Sequence, residues 1–151
     1  MWIQSTILKI KKETDQTWRF FIKSNEDFDF VAGQFVRIKI NDLVRSYSIA
    51  SFNSSNNIFE LLIVRLDGGK MTNLLFNKIK EGDKLEIKGP LGRFTLPENI
   101  DGDLLFICTG TGLAPFRSIL QSIPLTGIKH NNIYLIFGTR TSNDLLCFDE
   151  M

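Results

Sequence analysis

The 151-residue sequence predicts a β-rich first part, a short-stranded antiparallel sheet or barrel, followed by a smaller α/β segment. Three observations predict it. From residue 2 to about residue 65, apolar and polar residues alternate with a period of two, in stretches rich in β-branched and aromatic side chains. After Pro97 come two runs that are apolar at every position, "LLFIC" (104–108) and "IYLIF" (133–137), as expected of strands buried on both faces of a parallel sheet. Between those runs lie a glycine-rich turn and a helical stretch, so the segment reads as one βαβ unit.

In chain order, "STILKIKK", "TWRFFIKS", "QFVRIKI" and "IFELLIVR" are strands, with turn formers between them in "NEDFD", Gly33, "IND" and "NSSNN". In "GGKMTNLLFNKIKEGD" the period becomes helical: Met71, Leu74, Leu75 and Ile79 share one face, and Gly82-Asp83 ends the segment. "KLEIKGPLGRFTLP" resumes the strand pattern. A helix is expected around 114–122, followed by a loop holding Pro124, Gly127 and "KHNN". The boundary between the two parts should fall near residues 98–103. One βαβ unit exposes both edges of a two-stranded sheet, so the chain is expected to be a piece of a longer one.

Composition narrows the function. With 43% hydrophobic and 23% charged residues the chain reads as soluble and globular. Its 18 basic and 17 acidic residues give a formal charge of +1, which argues against nucleic acid as a partner. No apolar run approaches the roughly 20 residues of a membrane span. The start, "MWIQSTILKIKKE", lacks the order of a signal peptide, and a cytoplasmic location is expected. Cys108 and Cys147 form no CxxC pair and have only His130 as a companion, so buried free thiols are expected rather than a disulfide or a zinc site. His130, beside Lys129, is expected to be exposed and not catalytic.

Four stretches carry possible chemistry. "VRSYSIAS" (44–51) gathers Arg45, Ser46, Tyr47, Ser48 and Ser51 where a core strand would alternate Val, Ile or Phe with solvent-facing residues. Such a strand suits something flat and charged, although Arg45 also fits a solvated position and Tyr47 a core one. "GGKMT" (68–72) is either a plain helix start or a set of backbone N–H groups and a hydroxyl offered to a phosphate. "GPLGRF" (89–94) also reads as a turn between strands. "CTGTGLAPFRS" (108–118) follows a strand and opens a helix; Gly110 and Gly112 let backbone approach a ligand, and Pro115 suits an early helical position. A tight βα turn that binds nothing would look similar.

Taken together and in this order, these stretches resemble the ferredoxin–NADP⁺ reductase superfamily, which includes flavodoxin reductases and oxygenase reductase components. "RSYSIAS" is similar to the family's flavin signature, "GGKMT" to its pyrophosphate turn, "GPLGRF" to its GPxGxF segment and "TGTGLAPFRS" to its nicotinamide loop. "FGTRTSNDLLCFDE" (137–150) is similar to the second nucleotide-domain strand and the loop after it. The resemblance implies a six-stranded antiparallel β-barrel flavin domain over 1–100 and the first βαβ portion of a Rossmann-like NAD(P)-binding domain over 101–151.

The resemblance also implies roles. Tyr47 would lie against the flavin ring, and Ser48, with Thr109, would be catalytic, Ser48 near flavin N5. Arg45, Ser46, Gly69, Lys70, Met71 and Thr72 would hold FAD, together with Ile63, Val64 and Arg65 of the neighbouring strand. Thr109, Gly110, Thr111, Gly112 and Pro115 would bring NADP or NAD toward the flavin. The implied activity is electron transfer between NAD(P)H and a one-electron carrier such as ferredoxin, flavodoxin or an oxygenase component. Two other readings stay open: a flavin-binding module unable to oxidise NAD(P)H, or an electron-transfer subunit that completes its sheet with another chain. Two cysteines cannot build a four-cysteine iron–sulfur cluster.

Overall fold

Alternation of inward apolar and outward polar side chains builds six antiparallel strands: β1 (Ile3–Lys12), β2 (Thr17–Ser24), β3 (Phe35–Ile40), β4 (Leu43–Ser48), β5 (Ile58–Val64) and β6 (Lys84–Leu91). The structure is a computed structural model that describes residues 1–52 and 57–150. Most of the expected "NSSNN" turn, residues 53–56, lies outside the described residues. The strands pair in the order β4-β3-β6-β1-β2-β5. Past β4 the chain bridges to β5, with Ile49 opposite Leu61 and Ala50 N donating to Glu60 O at 2.7 Å, which closes the sheet into a barrel. "IND" forms a two-residue hairpin in which Asn41 takes a φ of 52°, a conformation asparagine tolerates.

The barrel interior is one cluster that includes Ile7, Phe20, Ile22, Val36, Ile38, Phe59, Leu61 and Ile87. Helix α1 (Lys70–Asn77) adds Met71, Leu75 and Phe76 to it, and the Phe76 ring lies 4.4 Å from that of Trp18. The helix is shorter than the pattern predicts. Lys78 leaves helical geometry, and the next turn is organised by Asp83, whose carboxylate accepts from Lys80 N at 2.8 Å. Ile79 therefore packs on the core from beyond the helix.

The second part consists of β7 (Leu104–Thr109), α2 (Leu113–Thr126) and β8 (Ile133–Gly138), the two strands parallel and in register from Leu104–Ile133 to Thr109–Gly138. Burial on both faces, expected from the unbroken apolar runs, does not hold. Leu105, Ile107, Tyr134 and Ile136 are more than half exposed, because α2 covers only the face that carries Phe106 and Leu135. Cys108, on the covered face of this narrow sheet, is half-buried rather than buried; Cys147 is buried, and both thiols are free. Pro124, expected in a loop, lies inside α2. Ile119, Ser122 and Ile123 keep the helix face buried up to it, the Ser122 and Thr126 hydroxyls bond carbonyls of the preceding turn, and Gly127 ends the helix with a φ of 68°. His130 is half-exposed in the loop before β8, with Nδ1 3.2 Å from Asn131 O.

Aromatic packing and a charge network are among the contacts that join the parts. "GPLGRF" folds back so that Phe94 meets Phe116 of α2 at 5.7 Å, and Phe116 meets Phe106 at 4.9 Å. Gly33 makes this approach possible: with a φ of 96°, a Cβ there would stand 1.9 Å from Phe94 O. Nearby, Arg19 and Arg117 share the carboxylates of Glu60 and Glu150. Arg19 Nη2 also lies 3.1 Å from Cys147 Sγ, and Arg19 Nε lies 2.8 Å from Glu13 Oε1, a charge contact without hydrogen-bond alignment. Burial opposes the Glu150 charge, but hydrogen bonds from Arg117 and Arg19 overcome it and hold the carboxyl below its ordinary range. Burial raises the Cys147 thiol against the same two cations.

Candidate functional site

At the exit of β5 the chain makes a tight turn into α1, around a cavity of about 320 Å³ lined by Arg65, Leu66, Asp67, Gly68, Gly69, Lys70 and Asn73. The sequence builds this turn locally. Gly69 N donates to Leu66 O at 2.9 Å, and a Cβ on Gly69 would fall 2.6 Å from Thr72 Oγ1. Thr72, buried, accepts from Leu66 N at 3.2 Å, and its own proton lies within reach of Leu66 O at 3.1 Å and Gly69 O at 3.2 Å. Its hydroxyl thus organises the turn, whereas the sequence reading has it holding phosphate. Gly69 caps α1 without a side-chain bond, and the first helical turn carries no acidic residue, so its N–H groups have no side-chain acceptor. Exposed Lys70 and Arg65 flank it, and Asp67 is the opposing charge. Met71 and Ile63 are buried in the barrel core.

Helix α1 packs beside β4 and so brings the turn to the other predicted residues. Arg45 and Ser46 are exposed, while Tyr47 and Ser48 are half-buried. The Arg45 guanidinium donates to its own neighbour's carbonyl, Val44 O, at 2.7 Å, and no ion pair engages it among the described residues. Tyr47 leans on the barrel core, and burial pushes its phenol up to about 12 against the opposing pull of Arg45. The phenol is therefore neutral at physiological pH and presents an uncharged aromatic surface.

A larger cleft of about 840 Å³ opens between the end of β5 and the ends of β7 and β8. Thr109 and Gly110 line it from one side, Val64, Arg65 and Asp67 from the other, with Gly138 at the end of β8 and Thr139, Arg140 and Asp144 beyond it. Residues 110–112 form a single 3₁₀ turn that Thr109 caps without a side-chain bond, and Gly110, at a φ of 51°, has open space where a side chain would be. Thr111 and Pro115 are half-buried, Pro115 as the third residue of α2. Arg65 lines both cavities and so links them; Arg45, Ser46, Tyr47 and Ser48 line neither. Sequence reasoning missed Gln16, Asp67, Arg140 and Asp144. Gln16 and Asp67 sit in loops without a motif, Arg140 lies in the quoted 137–150 stretch, and Thr141–Asp144 was legible as a capping box, Asp144 accepting from Thr141 N at 3.1 Å.

An uncapped helix start beside two cations, a strand with a neutral phenol packed next to that helix, and a glycine-rich βα turn across the larger cleft from Arg65 are the features of a class: a barrel-type flavin-binding fold with the beginning of a dinucleotide domain. Residues 6–96 match the oxidoreductase FAD-binding domain family and residues 106–151 the oxidoreductase NAD-binding domain family. The chain belongs to the FAD-binding oxidoreductases of the ferredoxin–NADP⁺ reductase type. It is 34% identical to the toluate 1,2-dioxygenase electron transfer component of Pseudomonas putida over 152 residues, 98% of this chain and 44% of that one. It is 35% identical to the flavodoxin/ferredoxin–NADP reductase of Buchnera aphidicola over 159 residues, 95% of this chain and 60% of that one. The ferredoxin NADP⁺ reductase from Neisseria gonorrhoeae with bound FAD and NADP superposes with a TM-score of 0.87 at 29% identity, covering 99% of this chain and 61% of that one. The chain spans about half the length of the curated relatives it matches. Among the described residues, no group of His, Cys, Asp and Glu could hold a metal ion, and no helix is long and apolar enough to cross a membrane.

Proposed function

We propose that this chain binds FAD on its barrel and moves electrons from NAD(P)H, by way of that FAD, to a one-electron carrier such as ferredoxin, flavodoxin or an oxygenase component. The observation that carries the proposal is the cleft in which Thr109 and Gly110 face Val64 and Arg65, continuous through Arg65 with the turn at 66–70. The residues present fit FAD: an uncapped helix start flanked by Arg65 and Lys70 suits a pyrophosphate, and the neutral Tyr47 face suits an isoalloxazine ring. Bound FAD supplies hydride acceptance from reduced nicotinamide and the release of its two electrons one at a time.

The chain's own residues bind and orient. Backbone groups at 69–72, with Arg45, Arg65 and Lys70, hold the phosphates; a guanidinium offers a planar fork for this. Ser48 presents a hydroxyl beside the ring, able to donate or accept as the redox state changes. Thr109, Gly110, Thr111 and Gly112, with Pro115 starting the helix, seat NADP or NAD. The domains run 1–100 for FAD and 101–151 for the nucleotide, and the protein works in the cytoplasm. One observation favours a second reading, a flavin-binding module or electron-transfer subunit: the β7–β8 face that carries Leu105, Ile107, Tyr134 and Ile136 is open. Anaerobic addition of NADPH and then NADH to the FAD-loaded chain separates them. Bleaching of the flavin band supports the reductase; a bound flavin that stays oxidised supports the second reading.

A further inference from the structure

Three consecutive residues that follow β4, the strand of Tyr47 and Ser48, are each held by a side chain of α2. Arg117 Nη1 donates to Ala50 O at 2.5 Å, Ser118 Oγ donates to Ser51 O at 2.8 Å, and Gln121 Oε1 accepts from Phe52 N at 2.8 Å. Arg117 and Ser118 are buried. Arg117 is itself fixed, at 2.9 Å from Glu60 Oε2 and by Nε and Nη2 from Glu150 Oε2 at 2.9 and 2.5 Å, while Arg19 meets the same two carboxylates from the barrel side. Glu60 N in turn donates to Ser51 Oγ at 2.9 Å. None of these residues lines either cavity of the candidate site.

The placement gives them a task. Helix α2 begins directly after the 109–112 turn, and Arg117 stands about one helical turn into it. The aromatic contacts between the two parts accept a range of ring separations and tilts, whereas hydrogen bonds to three successive backbone groups set a register. The geometry points to Arg117, Ser118 and Gln121 as positioning residues that fix the nicotinamide-side turn relative to the flavin-side strand. This inference rests on the proposed function for its catalytic consequence, though not for the clamp itself.

Two variants test it: Arg117→Lys, which keeps the charge and loses the fork, and the milder Ser118→Ala/Gln121→Ala pair. In the apo chain, amide hydrogen exchange at residues 109–114 should rise by about tenfold or more while Ile7, Ile22 and Ile87 in the barrel stay unchanged. Loaded with FAD, the variants should keep flavin affinity within about threefold yet lose about tenfold or more in reduction rate at saturating NAD(P)H, since a misplacement of about 1 Å can cost ~10²-fold. Gln121→Glu, which keeps the acceptor for Phe52 N, should restore both readouts. Unchanged exchange at 109–114, or an equal rise in the barrel amides, would overturn the clamp. Should the unsubstituted chain bind no FAD, or bind it without being reduced, the functional proposal fails, and the apo exchange still decides the clamp.

Discussion

Replacing Thr72 by Val removes one hydroxyl and nearly keeps the side-chain shape. In the structure that hydroxyl accepts from Leu66 N at 3.2 Å and donates within the turn to Leu66 O or Gly69 O, in a setting only 7% exposed. Its loss takes the side-chain acceptor from Leu66 N and removes the hydroxyl's own donation, while Leu66 O keeps Gly69 N and Gly69 O keeps Asn73 N. At about 0.5–1.5 kcal/mol for each net hydrogen bond, the two together come to about 1–3 kcal/mol. For a chain of this size that is a fall in Tm of about 2–12 °C. The assay is thermal unfolding of the apo chain followed by circular dichroism, with an FAD titration on the same variants. Thr72→Val should lose stability and flavin affinity together, because the hydroxyl shapes the turn before any ligand arrives, and Thr72→Ser should recover both. An apo Val variant that melts with the parent protein while FAD affinity drops would refute the reasoning: the hydroxyl would then act on the ligand and not on the turn.

Among the described residues Arg45 hydrogen-bonds only its neighbour's carbonyl, Val44 O, so Arg45→Ala should leave apo stability nearly unchanged and weaken FAD binding by about 1.5–3 kcal/mol, the worth of a charge-assisted contact, in a fluorescence titration. Ser48→Ala should slow flavin reduction in stopped-flow absorbance more than it weakens flavin binding; equal losses would leave Ser48 only a holding role. For Tyr47, burial raises the phenol from 10.0 to about 12, so the stability it contributes is complete below about pH 10 and disappears as pH rises through about 12. Phenolate absorbance compared between the parent and Tyr47→Phe should show that titration near 12, and one near 10 would contradict the burial.

Local signals were legible and long-range ones were not. Period-two stretches such as "TWRFFIKS" marked β2 to the residue, because each side chain's face is decided by its neighbours. "GGKMT" announced a turn into a helix, although not that Thr72 would spend its hydroxyl on Leu66. The runs "LLFIC" and "IYLIF" misled about burial, since an unbroken apolar run says what a strand tolerates and not how many layers cover it. Pro124 misled because its cost inside a helix was offset by the buried face of Ile119, Ser122 and Ile123. The pairing of Arg19 with Glu150, 131 positions apart, and of Arg117 with Glu60 carries no periodicity, and only the closed barrel with α2 laid against it brings them together.

A site for FAD built by the barrel and the 66–72 turn should bind that flavin in the isolated chain. The most direct test titrates the purified chain with FAD and, separately, with FMN, following flavin fluorescence. One FAD should bind per chain and FMN more weakly by about tenfold or more, since only FAD carries the second phosphate and adenosine that would reach the turn at the start of α1. Equal affinity for the two flavins, or no saturable binding of FAD, would contradict it.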